Sequence, residues 1–306
     1  MEAFQKIHPL EFYRKFLERD VRPDGRSLTT LRKTTVATGS ILTADGSSFV
    51  KIGNTSIICG VRAEVAEYQI NNSNNNNNGN SNGKDNKGGN TSTSDATTTS
   101  TTTSQRYCKD QIFVNVELGP ICSNIFSSSK PSEKAMTLCS QMNRLANLLE
   151  IEQSELNFDS EGRFRWYLYV DLYCLDYNGN ILDAAIIAML TALKNVRLPR
   201  GIVEDGEPLR DCDSMRVLNV PTYFSPLTFA LIDDYVLSDP SLEEEKLASG
   251  SITLVYNQHG DICLSVVSST ASINDNTLQQ CRDKTKERIK DVIDLIDQSC
   301  TVQSIV

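Results

Sequence analysis

The stretch WYLYVDLYCLDYNGNILDAAIIAMLTALKN, residues 166–195, places a strand, a turn and a helix in direct succession. Its first part, Trp166–Leu175, is typical of a strand. Asn178-Gly179 predicts a turn. The run Asp183–Asn195 is rich in Ala and Leu, and its small side chains predict a helix packed closely against a sheet. The stretch therefore favours a fold in which helices cover β-sheets.

Strands and helices also precede this stretch. The strands are predicted, in hairpin spacing at first, at Thr34–Leu42, Ser48–Ile52, Ser56–Val61 and Gln111–Leu118. A short helix is predicted at Pro9–Arg19, because Leu10, Tyr13 and Leu17 share one face and proline suits the first turn. A longer helix is predicted at Pro131–Glu150, where apolar residues repeat every three or four positions.

A second unit with strands followed by a helix begins near Met215. Its strands are predicted at Arg216–Val220, Thr228–Ile232, Ser251–Tyr256 and Asp261–Val266, and its helix at about Asn276–Gln298. This order occurs twice, so we expect an α+β fold of two β-rich halves, each packed with helices. We place the N-terminal helix and its lead-in at residues 1–25, the first half at 26–200 and the second half at 215–300.

The segment Asn71–Gln105 differs in composition from the rest of the chain. It consists almost entirely of Asn, Ser, Thr and Gly, and Ala96 is its only apolar side chain. Such a segment buries too little surface to offset its ordering entropy, so we expect it to be disordered. Because predicted strands flank it, we interpret it as an expanded loop inside the first half.

Composition excludes several classes of protein. No apolar run reaches the roughly 18–20 residues that span a bilayer, and no signal-peptide pattern opens the chain, so we expect a soluble intracellular protein. The nine cysteines are scattered without a CxxC pair, and with two histidines they predict no metal site. The net charge of −9 argues against a protein that binds nucleic acid alone.

Several aspartates suggest carboxylate chemistry at first sight. Asp171, Asp176 and Asp183 lie close together in the sequence, but structural roles are the favoured interpretation. We expect Asp176 to support a turn and Asp183 to cap the helix that follows it. Asp233-Asp234 is interpreted as a turn between strands.

Ordered motifs along the chain resemble one family. Arg22-Pro23-Asp24-Gly25-Arg26, followed by Leu31-Arg32, resembles the opening of RNase PH-like proteins. Lys51–Thr55 and Cys59–Val61 resemble the first hairpins of that fold. The stretches Leu175–Ala184 and Ala192–Val196 are similar to the non-catalytic branch of RNase PH-like ring subunits of the eukaryotic RNA exosome. The resemblance covers the chain outside the Asn/Ser/Thr-rich insert and implies an RNase PH-like fold.

The resemblance also implies which chemistry to look for. Active relatives cut RNA from its 3′ end by phosphorolysis and carry a Gly-Arg pair at the start of the first long helix. The matching segment Ser127–Lys134 lacks that pair. Asp239 and Glu245 lie near the positions of two aspartates in active relatives, so a remnant metal site is one interpretation. We favour the other, in which Glu243-Glu244-Glu245 are solvated at a helix start, and we expect no catalytic, metal or cofactor site.

As partners the resemblance implies other RNase PH-like ring subunits, RNA-binding cap subunits and RNA in a central channel. Arg62, Lys130 and Lys134 are candidate RNA contacts, because they flank loops that line the channel in relatives; ordinary surface residues are the alternative. The expected function is a structural subunit that supports 3′-to-5′ RNA processing by an associated nuclease, in the nucleus, nucleolus and cytoplasm. Alternatives are an active phosphate-dependent 3′ exoribonuclease and an independent RNA-binding module.

Overall fold

The computed structural model describes residues 6–68, 110–127, 132–159, 162–204, 206–269 and 273–302. The expectation of a disordered insert at residues 71–105 therefore lies outside the described residues, as does the candidate RNA contact Lys130. The described elements form a five-stranded sheet, a four-stranded sheet and a two-stranded ribbon, with helices packed against the two sheets.

The five-stranded sheet has the strand order β1-β2-β3-β5-β4. Its strands are β1 (Thr34–Thr38), β2 (Gly46–Ile52), β3 (Thr55–Glu67), β4 (Ile112–Glu117) and β5 (Phe164–Asp176). Neighbours pair antiparallel except β4 and β5, which are parallel with Val114 opposite Val170. Alternate residues of β3 are buried because one face of the sheet meets the core. The hairpins predicted from the sequence are confirmed.

Helix α3 (Ile181–Lys194) lies between the two sheets and is buried on all sides from Ile181 to Leu193. A helix that is apolar all round is stable only inside a core. Its small residues let strand β2 approach closely, since the Ser48 hydroxyl donates to the Ala188 carbonyl oxygen at 2.7 Å. The prediction that this segment packs closely against a sheet is confirmed.

The second half is built on a sheet with strand order β11-β10-β8-β9. These strands are β8 (Phe224–Ile232), β9 (Tyr235–Ser238), β10 (Gly250–Asn257) and β11 (Ile262–Ser269). The helices are α1 (Pro9–Leu17), α2 (Glu133–Ala146), α4 (Leu242–Leu247) and α5 (Asp275–Val302), with a 3-10 turn at Gln153–Leu156. The α+β fold expected from the sequence is confirmed. The boundaries of its halves remain a prediction.

The structure corrects two local predictions. The strand expected at Arg216–Val220 is instead the end of β7 (Glu207–Val217), which pairs with β6 (Arg197–Glu204) in the ribbon. Asp183 does not cap α3, because Asn180 occupies the N-cap position and Asp183 is buried in the first turn. None of the helices that the structure describes is long and apolar enough to cross a membrane.

Candidate functional site at the junction of the two halves

The candidate site begins where β9 ends and the short helix α4 starts. Asp239 adopts a left-handed backbone conformation with φ of 54°, and the chain then turns into α4. Ser241 and Glu244 form a capping box, in which the Ser241 hydroxyl accepts from the Glu244 amide and the Glu244 carboxylate accepts from the Ser241 amide. This sharp turn directs the Asp239 carboxylate inward, toward the first half of the chain.

Arg32 holds the Asp239 carboxylate with two side-chain bonds. Its Nη2 donates to Asp239 Oδ1 at 2.7 Å and its Nε donates to Oδ2 at 3.0 Å. The Arg32 backbone amide adds a bond to Oδ2 at 2.8 Å, and Asn180 Nδ2 donates to Oδ1 at 2.6 Å. Both carboxylate oxygens are therefore engaged by donors from the first half.

The pKa of Asp239 reflects this pairing. Burial alone would raise the pKa of its carboxyl, but the hydrogen bonds and charge of Arg32 outweigh burial, so the pKa lies below its ordinary value. The pKa of Arg32 is raised: its burial lowers the value, and the bonds and charge of Asp239 more than compensate. The two side chains form a buried ion pair whose charged state the fold stabilises.

Arg22 lies beneath this pair and is fully buried. Its guanidinium donates to the carbonyl oxygens of Ser238 at 2.6 Å and Asp239 at 3.3 Å, and also to that of Leu28. It contacts Glu244 Oε2 at 3.4 Å, and burial lowers its pKa while the Glu244 charge opposes that effect. Arg22 therefore joins the N-terminal lead-in to the turn that carries Asp239.

Glu245 projects from α4 toward the first half. Its Oε1 accepts from the Asn180 backbone amide at 2.6 Å, and its Oε2 accepts from the Tyr177 hydroxyl at 2.7 Å. Lys134 contacts the same Oε2 at 3.4 Å, donates to the Tyr177 hydroxyl and lies 4.5 Å from that ring's centroid. Burial, followed by the Glu245 charge, raises the pKa of Tyr177.

An open cleft of about 570 Å³ lies beside Glu245, between α2 and the second sheet. Lys134 and Glu245 line it together with Asn180, Thr228 and Thr253. Arg62 is not among the lining residues: it lies on β3, exposed, with its Nε 3.2 Å from Glu64 Oε1. The structure thus brings Glu245 and Lys134 together and places the candidate RNA contact Arg62 elsewhere.

The interpretation of residues 243–245 as a solvated helix start is corrected for Glu244. Its side chain is buried because it closes the capping box and meets Arg22, a residue far away in the sequence. A deeper carboxylate, Asp183, accepts from Thr228 and contacts Arg288 Nη1 at 3.2 Å, and burial raises its pKa despite that charge. These bonds join α3 to the second sheet and to α5.

Arg32, Asn180 and Tyr177 were not predicted as members of the site. A signal was present, because Arg32 closes the opening motif and the other two lie in the stretch Leu175–Ala184. Among the described residues, no group of three or more His, Cys, Asp or Glu side chains is arranged to hold a metal ion. The arrangement is chemically a network of ion pairs and hydrogen bonds beside an open cleft, in which Arg22 Nε and Asn180 Oδ1 are buried without a hydrogen-bond partner.

Two family models match successive stretches of the chain. Residues 30–199 match the model for domain 1 of the 3′ exoribonuclease family, RNase PH, and residues 222–288 match the model for domain 2. The chain is 28% identical over 283 residues to the exosome complex component rrp43 of Schizosaccharomyces pombe, covering 91% of each chain. It is 30% identical over 280 residues to the exosome complex component Rrp42 of Methanothermobacter thermautotrophicus, covering 92% of this chain and 91% of the relative.

Solved structures share the fold. A chain of the Archaeoglobus fulgidus exosome with RNA bound to the active site superposes with a TM-score of 0.71 at 22% identity, covering 93% of this chain and 96% of that one. A chain of an archaeal exosome core gives a TM-score of 0.69 at 21% identity, with 94% and 96% covered. The helix Pro9–Leu17 also resembles the exosome subunit called ribosomal RNA-processing protein 43, which agrees with the match to rrp43 of Schizosaccharomyces pombe.

Proposed function

Because the chain belongs to the 3′ exoribonuclease family, RNase PH, we propose that it is a non-catalytic structural subunit of an RNA exosome ring. The relatives rrp43 and Rrp42, which it matches over nine-tenths of its length, are named as exosome components. In this role the chain supports 3′-to-5′ processing and degradation of RNA, including maturation of ribosomal RNA and turnover of messenger RNA, by an associated nuclease.

The main support for a non-catalytic role is that both candidate carboxylates are already bound by donors of the same chain. Asp239 is held by Arg32 and Asn180, and Glu245 is held by the Asn180 amide, Tyr177 and Lys134. A carboxylate that serves a metal or a proton transfer needs an oxygen directed at the substrate. Here the oxygens face donors of the same chain, so these groups stabilise the fold.

The cationic groups that would hold phosphate in a phosphorolytic site are also incomplete. The segment Ser127–Lys134 contains lysines in place of the Gly-Arg pair, and a lysine does not offer the bidentate fork of arginine to a phosphate. Without a phosphate clamp the attacking group is not positioned, and positioning supplies much of the rate of such reactions. The two losses together support an inactive subunit.

The proposed partners are the other RNase PH-like ring subunits and RNA-binding cap subunits, with RNA in the central channel and with the nucleus, nucleolus and cytoplasm as locations. Arg62 and Lys134 are the described candidates for RNA contact. Arg62 lies exposed on β3, whereas Lys134 lines the cleft. Crosslinking of RNA to assembled rings tests both residues. If no crosslinked peptide contains Arg62 or Lys134, this part of the proposal is wrong.

A phosphorolysis assay tests the main proposal against its alternative, an active phosphate-dependent 3′ exoribonuclease. The wild-type chain, alone and in reconstituted rings, is incubated with single-stranded RNA and inorganic phosphate. We expect that this chain releases no nucleoside diphosphates in response to phosphate. Any release by the ring should be the same when Glu245 is replaced. Release that disappears in a Glu245→Gln variant, while the variant still assembles, would establish the active enzyme instead.

A further inference from the structure

Two buried cysteines of the first half lie against each other. Cys174 is near the end of β5, and Cys122 lies in the loop that follows β4. Both belong to the apolar core, and a hydrogen bond joins their thiols. Among the cysteines whose side chains the structure describes, this is the one pair of thiols in contact. Two thiols in contact are the arrangement from which a disulfide can form.

The backbone on both sides of the pair holds the two cysteines in place. Strand β4 runs parallel to β5 with Glu117 opposite Tyr173, so the chain leaves β4 level with the end of β5. The loop then returns to β5, where the Tyr177 amide donates to the Cys122 carbonyl oxygen at 3.2 Å. The Phe126 ring packs against the Tyr177 ring, with their centroids 5.6 Å apart. The contact between the thiols is therefore a consequence of strand pairing and of this loop bond.

The two thiols differ in how readily they ionise. Burial is the largest cause that raises the pKa of both, so both are protonated at neutral pH. The hydrogen bond between them lowers the pKa of Cys122 and raises that of Cys174. Nearby backbone groups, including those of Gly119 and Ser123, also lower the pKa of Cys122. Because the thiolate is the reactive form of cysteine, Cys122 is the one that attacks an oxidant.

Cys122 also lies in the segment that opens more easily. Its amide donates to the Gly119 carbonyl oxygen at 3.1 Å, a bond within a turn of the loop. The adjacent side chain of Ile121 is 85% exposed, so Cys122 lies directly beneath the surface. Cys174, in contrast, belongs to a strand that is paired on both sides, with β3 and with β4. Loop segments open at a lower free energy than paired strands, so a small oxidant reaches Cys122 first.

We propose that Cys122 and Cys174 form a reversible disulfide when the protein meets hydrogen peroxide. The Cys122 thiolate attacks one peroxide oxygen, the O–O bond breaks, and the other oxygen leaves as water, so that Cys122 becomes a sulfenic acid. The Cys174 thiol then attacks the Cys122 sulfur, an S–S bond forms, and the sulfenic oxygen leaves as a second water. The two cysteines lose two electrons and two protons in total, and the peroxide takes up both.

The disulfide fastens the loop after β4 to the end of β5. It closes a long loop of chain that contains α2, and such a crosslink restricts the unfolded state and so stabilises the folded one. The fastened segment leads directly to Tyr177, whose hydroxyl donates to Glu245, so oxidation stiffens this wall of the cleft. In a reducing compartment cellular thiols break the bond again, which makes the change reversible.

The test uses the tagged full-length chain, purified with whatever proteins accompany it and treated with hydrogen peroxide. The sample is then alkylated in denaturant and mapped by mass spectrometry without reduction. We expect a peptide with Cys122 joined to one with Cys174, and loss of alkylation at both positions that dithiothreitol reverses. Cys139 is the internal control, because it is half-buried next to β4, where its Sγ donates to the Val114 carbonyl oxygen at 3.1 Å. It should remain alkylated.

Two variants test the effect on the loop. Peroxide should slow hydrogen exchange of residues 119–127 in the wild type and in Cys139→Ser, and it should leave exchange in Cys122→Ser unchanged. The peptide map of the wild type gives an answer even if a variant folds poorly. The inference is overturned if Cys122 is oxidised to a sulfinic acid without a crosslink, or pairs with a different cysteine. It is also overturned if both thiols remain alkylated while added glutathione is oxidised.

Discussion

Replacing Arg32 with methionine tests whether the ion pair with Asp239 holds the two halves together. Methionine retains an unbranched stem, which matters because the Arg32 stem packs directly over Gly53. The substitution removes both side-chain bonds to Asp239, at 2.7 and 3.0 Å, and the bonds to the carbonyl oxygens of Asn178 and Pro240, at 2.8 and 3.2 Å. The Asp239 carboxylate then remains buried with a single, more distant ion-pair partner, Arg26, whose Nη1 lies 3.7 Å from Oδ2.

The expected loss of unfolding free energy follows from the burial of the Arg32 and Asp239 side chains. The side chains of Arg32 and Asp239 are 9% and 2% exposed, so the pair is shielded from solvent. Removing one partner of such a pair costs about 3–5 kcal/mol, since the other charge is left in a medium of low polarity. With a denaturant dependence of about 3 kcal/mol per molar urea, that loss lowers the unfolding midpoint by roughly 1 M or more.

The matched control is Arg14→Met, which removes an arginine of similar bonding geometry. Arg14 also makes two bonds to one carboxylate, that of Asp233, at 2.7 and 2.9 Å, but this pair lies in solvent. Exposed pairs contribute little to stability, so its midpoint should stay near that of the wild type. Urea unfolding followed by circular dichroism measures both variants. Equal shifts of the urea midpoint for Arg32→Met and Arg14→Met would refute the claim that the ion pair between Arg32 and Asp239 holds the two halves together.

Three further predictions follow from the same structure. The pKa of Asp239 is lowered in the folded state, so its contribution to stability is present above its unfolded pKa of about 3.9 and is lost as pH falls through the folded value. The difference in unfolding free energy between wild type and Asp239→Asn should therefore shrink below about pH 4. A difference that grows in acid would contradict this. Gly179→Ala should destabilise the protein by more than about 1 kcal/mol, because φ is +79° and an added Cβ would lie 2.5 Å from the Ser241 carbonyl carbon; an unchanged melting temperature would contradict it. Cys59 should resist alkylation in the native state, since it is fully buried and burial raises its pKa, whereas modification before unfolding would show that β3 opens.

Local sequence patterns predicted many helices and strands of the first half, because there the secondary structure that each segment prefers agrees with its packing in the whole fold. The apolar run after Asn178-Gly179 could only be a buried helix, and the hairpins around Gly53 alternate as a half-buried sheet requires. The ribbon was not predicted, and its strands contain Pro199 and Pro208, residues that are unusual inside a strand. In the structure they are tolerated because β6 and β7 pair only with each other, which leaves both outer edges free of ladder bonds among the described strands.

The contacts within the candidate site could not be predicted from the sequence. Asp239 and Glu245 were identified by resemblance, but their engagement depends on residues that lie far away in the chain, such as Arg32. Nothing in the run Glu243–Glu245 indicates that its middle residue is buried, because the burial is created by Arg22 and by the capping box. Pairing across such sequence distances is a property of the assembled fold, and only the structure reveals it.

The most direct test of the central claim is native mass spectrometry of the complex recovered on the tagged chain. If this chain is one member of a ring, the recovered complex contains near-equal amounts of five other RNase PH-like subunits together with RNA-binding cap subunits. Recovery of the chain alone, or only with copies of itself, would contradict the ring assignment and would require a free-standing enzyme or binding protein instead.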